Sequence, residues 1–565
     1  SKWIAYVKHL NSLYKAIVAY NVETGVTKQV TDGLSDVISP AWDASGKYLW
    51  FLASTDFALK SQWLDMTSYD HDETFALYLA VLAKSESSPL LPESDEETGV
   101  AAAGGGRGGR GAGAGEAADA PAGGAPRGAV TVTIDWDGLA GRTLAVPGIT
   151  NRQYGRLKAG VAGTVYFTET IPASGTAGGG GATLHRYQLR DRRAAPFVSG
   201  IADYDVSADG RKLIYRTGGG GGGGRGGGAA AGGPAVFVVD ADRAAPQPGA
   251  GRLNIALRAN IDPKAEFKQI FYEGWRNQRD YLYVPNMHGS DWPKMRSMYE
   301  QLLPSVMHRA DLNYLLDQMG AEIAIGHSYV RGGDMPEVPQ ATGGQLGADF
   351  TIDQGRYRIT RIYDGESWNP DLRAPLSQPG LDARVGDYVI AVNGEELKAP
   401  DNLYRLLDGT ANRQTVLTLN DRPVADGVRR VTVIPIASDQ ALRSRAWVEH
   451  NRRVVDSLSK GQLAYVYLPN TGQPGYTYFN RYYFAQQDRK GAVIDERYNG
   501  GGQAADYIID VLQRDFDGYF NNVAGDRMPF TSPAAGIWGP KVMIINEMAG
   551  SGGDLMPWMF HYRKI

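Results

Sequence analysis

Three short stretches carry residue types that together suit acyl transfer: Ser551 in KVMIINEMAGSGGDLMPWMF, the glycines Gly500, Gly501 and Gly502 in KGAVIDERYNGGGQAADYIIDVL, and His327 in LLDQMGAEIAIGHSYVRGGD. A serine on a tight turn of small residues, just before a helix, holds its hydroxyl where free backbone N–H groups and the positive helix end converge. That arrangement lets a hydroxyl attack a carbonyl and hold the resulting oxyanion. Glycines let a second loop approach closely and turn its N–H groups inward. A histidine supplies the base. Each stretch has a plainer reading as well. Gly and Ser form loops everywhere, N–H-rich loops bind anions, and single histidines are often structural. Neither glycine-containing loop fits GxxxxGK[ST] or GxGxxG with a downstream carboxylate, so nucleotide sites are unsupported.

The elements around these residues follow from apolar patterning. Val542–Ile545 reads as a buried strand and Gly552–Leu555 as the opening of a helix. Ala492–Ile494 reads as a second strand, with a helix from about Ala504. Two such strands would bring their loops to one sheet edge. An amphipathic helix over Leu312–Met319 precedes His327. His288 and His308 compete for the role of base, while His9, His71, His185, His450 and His561 read as propeller or surface residues.

The runs GHSYV at His327, VIDERYNGGG at Gly500 and NEMAGSGGDLMP at Ser551 together resemble the core of the tricorn proteases, within the C-terminal processing serine peptidases. EGWRNQRDYLYVPNMHGSDWPKM is similar to the start of that family's first core domain, and GDYVIAVNGEEL resembles a PDZ domain. The resemblance implies a multidomain chain: a β-propeller, then a mixed α/β peptidase core with a crotonase-like catalytic half, interrupted by a PDZ-like domain. The expected division is 1–262 propeller blades with Gly-rich insertions (98–128, 171–182, 217–233), 263–345 first core domain with His327, 346–440 PDZ-like domain, and 441–565 second core domain with Ser551. It further implies Ser551 as nucleophile and His327 as general base. The backbone N–H of Gly552 would be one oxyanion donor and a glycine of the 500–502 loop, Gly500 or Gly501 among them, the other. Oligopeptide substrates and a homo-hexamer come from the same resemblance, and no cofactor or metal is implied; the absence of cysteine fits a cytoplasmic location, with a periplasmic one left open because the start of the chain reads as missing.

Departures from the family pattern accompany it. Gly326 stands where the family commonly has a serine that orients the histidine, with Ser328 or Glu322 as substitutes, and Gly552 stands where Asp is common. The family's tetrad glutamate, or the lysine of Ser–Lys relatives, falls beyond Ile565, so the chain reads as a fragment. The alternative is a propeller and PDZ scaffold that binds peptides or partner proteins without cleaving them.

Composition bounds the rest. The length calls for several domains. A net charge of −4 implies no nucleic-acid or membrane footprint, and no stretch is apolar enough to span a bilayer. With no cysteine, disulfides, thiolate zinc sites and a cysteine nucleophile are excluded. Many of the 72 glycines fall in runs that read as flexible insertions. Their Arg107, Arg110 and Arg225 resemble RNA-binding tracts, but they are few and lack interleaved aromatics. SPAWDASGKYLWFLAS and YDVSADGRKLIYRTG share a turn-then-strand plan suited to propeller blades, with a β-sandwich as the alternative. Asn393-Gly394 marks a hairpin in the 348–437 module. Asp515, Asp517 and Asp526 could favour basic substrates, although solvated surface carboxylates are the plainer reading.

Overall fold

The computed structural model describes residues 2–58, 71–91, 130–170, 181–218, 235–256, 258–335, 338, 341–366, 369–521, 523–524 and 529–565. Arg107, Arg110, Arg225, Asp526 and nearly all of the expected Gly-rich insertions lie outside these residues. The chain divides into two compact units, Ser1–Leu253 with Gly343–Ile565, and Asn254–Thr342.

The larger unit opens with antiparallel meanders. β1 (Trp3–His9), β2 (Lys15–Asn21) and β3 (Thr27–Gln29) form a three-stranded sheet. β4 (Asp36–Trp42), β5 (Tyr48–Ser54), β6 (Ala76–Val81) and β7 (Thr143–Ala145) form a four-stranded one. Next come β8 (Tyr154–Ala159), β9 (Thr164–Thr170), β10 (Ala182–Gln188), β11 (Arg193–Val206), β12 (Lys212–Thr217) and β13 (Val236–Asp240). The long β11 pairs with β10 along its first part and with β12 along its second, with a register shift after Ile201. These are β-propeller blades: consecutive strands pair as neighbours, and facing sheets bury shared apolar layers. Trp50, Leu77 and Leu79 of one blade pack with Val165, Phe167 and Tyr187 of the next. The repeated turn has a physical cause. Gly46, Gly163 and Gly210 all adopt φ near +74°, at +74°, +73° and +73°, where a side chain is strained.

The smaller unit is helical: α1 (Pro263–Tyr281), α2 (Trp292–Glu300) and α3 (Arg309–Ala321). Asp262 caps α1 by accepting the N–H groups of Lys264 and Ala265. Trp275 and Trp292 lock α1 to α2, each indole N–H donating to the other's backbone carbonyl at 2.9 and 3.0 Å.

The larger unit resumes with a β-rich module: β14 (Ala348–Asp353), β15 (Arg356–Ile362), β16 (Tyr388–Val392), β17 (Glu395–Glu396), the single turn α4 (Leu403–Leu406), β18 (Thr415–Asn420) and β19 (Arg429–Val433). Left-handed residues at Gln354–Gly355 and Asn393–Gly394 make the tight turns of the β14–β15 and β16–β17 hairpins. Then follow α5 (Gln440–Ser459), β20 (Leu463–Tyr467), α6 (Gln473–Phe484), β21 (Gly491–Asp495), α7 (Ala505–Leu512), β22 (Gly518–Phe520), β23 (Phe530–Ser532), β24 (Lys541–Ile544) and α8 (Gly552–Tyr562). β20, β21 and β24 form a parallel sheet in that order, with β21 central and buried along its length.

One expectation is corrected here. β24 is not a buried strand. Val542 is 53% and Ile545 56% exposed, and only alternate residues of the strand turn inward. β24 is the edge of the described sheet, and the face of its apolar run that carries Val542 and Ile544 is uncovered.

Among the described residues, no helix is long and apolar enough to cross a membrane, and no group of three or more His, Asp or Glu is placed to hold a metal ion.

Candidate active site

In a parallel sheet every strand ends at the same edge, so the loops after β20, β21 and β24 converge there. The β24 loop delivers Ser551. Its backbone sits at φ +57°, ψ −119°, a conformation that costs a non-glycine residue of the order of 1–3 kcal/mol. The turn before α8 imposes it, and the side chain emerges exposed. Behind it, Gly552 and Gly553 are buried. Gly553 N–H donates to Gly550 O at 2.9 Å, and the N–H groups of Asp554 and Leu555 both donate to Ser551 O. Gly552 N–H, by contrast, has no hydrogen-bond partner among the described residues. An unpartnered N–H at a helix N-terminus, one residue after an exposed hydroxyl, is what an oxyanion needs.

The β21 loop presses against this turn. A Cβ built on Gly501 would lie 2.6 Å from Ser551 Cβ and 2.7 Å from Gly550 O. Gly501 is at φ +81° and Gly502 at +140°. Gly500 N–H donates to Pro469 O at 3.1 Å, and Gly501 N–H to Asn499 Oδ1 at 2.9 Å. Both amides are therefore engaged within the protein, whereas Gly552 N–H is open.

The β20 loop completes the platform, and the sequence reading had not singled it out. Thr471 N–H donates to Gly501 O at 3.0 Å, and Ala504 N–H to Thr471 O at 2.6 Å. Gly552 has no room for a side chain, because Thr471 Oγ1 and the backbone of Gly502 occupy that space. The signal for this loop was its composition, LPNTGQPG directly after an apolar strand.

Beneath the loops lie three polar side chains with no exposure: Thr471, Glu496 and Asn499. Thr471 Oγ1, both Glu496 carboxyl oxygens and Asn499 Nδ2 have no hydrogen-bond partner among the described residues. Burial above all, then the charges of Asp554 and Asp495, pushes the Glu496 carboxyl up to about 8. Asp495, on the opposite face of the sheet, accepts Tyr465 Oη at 2.7 Å and pairs with Arg497.

His327 belongs to the smaller unit. It lies in the loop after α3 at φ +60°, exposed, with its ring edge-on to Tyr329 at 6.0 Å between centroids. Asn313 anchors this loop by donating from Nδ2 to Gly332 O at 2.9 Å, and its own amide oxygen accepts Arg309 Nε. Of the substitutes for the missing serine at Gly326, Glu322 accepts Tyr299 Oη at 2.8 Å, and Ser328 Oγ packs over Gly320. The competing histidines have local duties. His308 precedes α3 beside Asp311, and His288 shares a 2.7 Å hydrogen bond with Tyr283. Asp515 and Asp517 are exposed to solvent.

Comparison with known proteins adds to this geometry. The tricorn protease C1 domain matches residues 263–321 and the tricorn protease PDZ domain matches residues 344–438. Tricorn protease homolog 1 of Streptomyces coelicolor is 30% identical over 542 residues, covering 92% of this chain and 46% of that protein. The tricorn protease of Thermoplasma volcanium is 27% identical over 375 residues, 66% of this chain and 34% of that protein. The crystal structure of the tricorn protease superposes with a TM-score of 0.76 at 22% identity, covering 100% of this chain and 51% of that one. The chain thus spans about half the length, or less, of the relatives it matches.

Proposed function

Because the chain belongs to the tricorn protease family, we propose that it is a serine peptidase that cleaves oligopeptides through an acyl-enzyme. The observation that carries this reading is the strained Ser551 turn, with its hydroxyl exposed, the Gly552 N–H open and Gly501 packed against it.

In the proposed reaction His327 takes the Ser551 Oγ proton as the oxygen attacks a peptide carbonyl. The tetrahedral oxyanion is held by Gly552 N–H and a second amide of the 500–502 loop, that of Gly502, because the amides of Gly500 and Gly501 already donate within the protein. One such donor typically contributes ~10²–10³ in turnover. The C–N bond breaks as the imidazolium returns its proton to the leaving amine. Water, deprotonated by His327, then releases the acyl group, and the proton goes back to Ser551. Peptide substrates and assembly into a homo-oligomer belong to the same reading.

The test is covalent labelling by a fluorophosphonate, together with peptide hydrolysis, in the wild type and in Ser551→Ala. The expected result is labelling at Ser551 and hydrolysis abolished in a variant that stays folded. Hydrolysis that persists in Ser551→Ala removes Ser551 from the role. Silence of the intact protein toward both probes favours a peptide-binding scaffold.

A further inference from the structure

Glu496 is a buried acid that the proposed reaction does not use. It follows β21 directly and continues the inward-facing row of Ala492 and Ile494, which pack with Met556 and Met559 of α8. Its N–H donates to Ile544 O at 2.9 Å, so it is held between the ends of two neighbouring strands. The side chain has no exposure, and neither carboxyl oxygen has a partner among the described residues. A charge left so is among the most unfavourable features a core can hold.

What lies next to it is the machinery around Ser551. Glu496 O accepts Asn499 N–H at 3.0 Å. Asn499 in turn accepts Gly501 N–H through Oδ1 at 2.9 Å and Gly550 N–H through its backbone oxygen at 3.1 Å. A Cβ on Gly553 would stand 2.7 Å from Asn499 O. One residue, Asn499, therefore grips both the glycine loop and the nucleophile turn, and its own N–H is tied to Glu496 O through the main chain. We propose that Glu496 is a proton-linked positioning residue: its neutral carboxyl seats Asn499 and the first turn of α8, and its ionisation loosens the grip on Gly501 and Gly550.

The charged groups that reach Glu496 are Asp554 on α8 and Asp495 at the end of β21, both repelling the ionised form. Arg497 is already paired with Asp495. The α8 N-terminus favours a negative charge, whereas burial and the two carboxylates push the group up to about 8. Relief on ionisation comes most cheaply by moving the 550–553 turn, which is built of small residues and already strained at Ser551.

Hydrogen exchange on the full chain at pH 7 and pH 9, corrected for intrinsic base catalysis, tests this in the wild type and Glu496→Gln. The ionised fraction of a group titrating near 8 rises roughly tenfold over that interval. Protection of the amides at 498–504 and 549–555 is expected to fall by about that factor in the wild type and by less than about twofold in the Gln variant. Protection in β14–β19 serves as the internal reference. Identical pH dependence in the two proteins, or constant protection in the wild type, overturns the proposal, and the wild-type profile alone decides if the variant does not fold. The catalytic consequence rests on the peptidase reading: kcat falls on the alkaline side with KM unchanged, and Glu496→Gln lacks that limb. A wild type that cleaves nothing at any pH defeats the peptidase reading, and the exchange comparison still decides the role of Glu496.

Discussion

Gly501 and Ser551 are packed so closely that a methyl group on the glycine would stand 2.6 Å from the serine Cβ. Gly501→Ala therefore meets both that collision and a backbone at φ +81°. A drop of about 1–3 kcal/mol in stability is expected, and a fall in kcat of at least ~10² as Ser551 is displaced. Gly500 is the control. It is adjacent in sequence but has nothing within 4 Å of its Cβ position, so Gly500→Ala is expected to keep both properties near the wild type. Thermal melts and steady-state kinetics on the pair decide the matter, and equal effects would show that Gly501 does not shape the nucleophile turn.

His327→Gln removes the proposed base while leaving Asn313 to hold its loop at Gly332. The rate of fluorophosphonate labelling at Ser551 is expected to fall by roughly 10²–10⁴. An unchanged rate would place the base elsewhere.

Glu366 joins the β-rich module to the core. Its carboxylate accepts Arg445 at 3.0 and 3.1 Å and Arg481 at 3.1 and 3.4 Å. Burial pushes this carboxyl up, but the bonds and charges of Arg481 and Arg445 outweigh it, and the group titrates below its ordinary 4.5. A lowered folded value means that the contribution is present above 4.5 and lost as pH falls through the folded value. Glu366→Ala is expected to lose about 1–3 kcal/mol at neutral pH, discounted because Arg481 is partly exposed. The gap from wild type should narrow in denaturant titrations below pH 4.5. A constant gap would show that the ion pairs are idle.

Asp43 ties two blades together. Its carboxylate accepts Trp50 Nε1 at 3.0 Å within its own blade and Gly163 N–H at 2.8 Å in the β8–β9 turn. Asp43→Ala leaves both donors without it, at about 2–4 kcal/mol. Exchange protection should drop in the β4–β9 strands and be unaffected around Ser551. A uniform loss would mean that the blades and core unfold as one.

Much of this arrangement was legible in the sequence because local chemistry determines it. Gln354-Gly355 and Asn393-Gly394 turn where left-handed residues are required. The small-residue loops before α7 and α8 lie at the ends of parallel strands, as their apolar runs suggest. Burial was less legible. Val542–Ile545 is apolar throughout, and such a run has the same composition whether one face or both are covered. Glu496 was invisible for a further reason. DERYN reads as a polar loop, and only the register of β21 turns the glutamate inward. Thr471 and Asn499 escaped similarly, since their roles depend on which loop meets which across the sheet.

The β20, β21 and β24 loops leave neighbouring parallel strands and are cross-braced through Thr471 and Asn499. An inhibitor bonded to Ser551 would thus not be a local event. Force on that oxygen passes along the brace to Gly501 and then to Thr471, three chain segments answering one covalent bond. Compounds could be ranked by how stiff they leave that edge, a property that occupancy alone does not report.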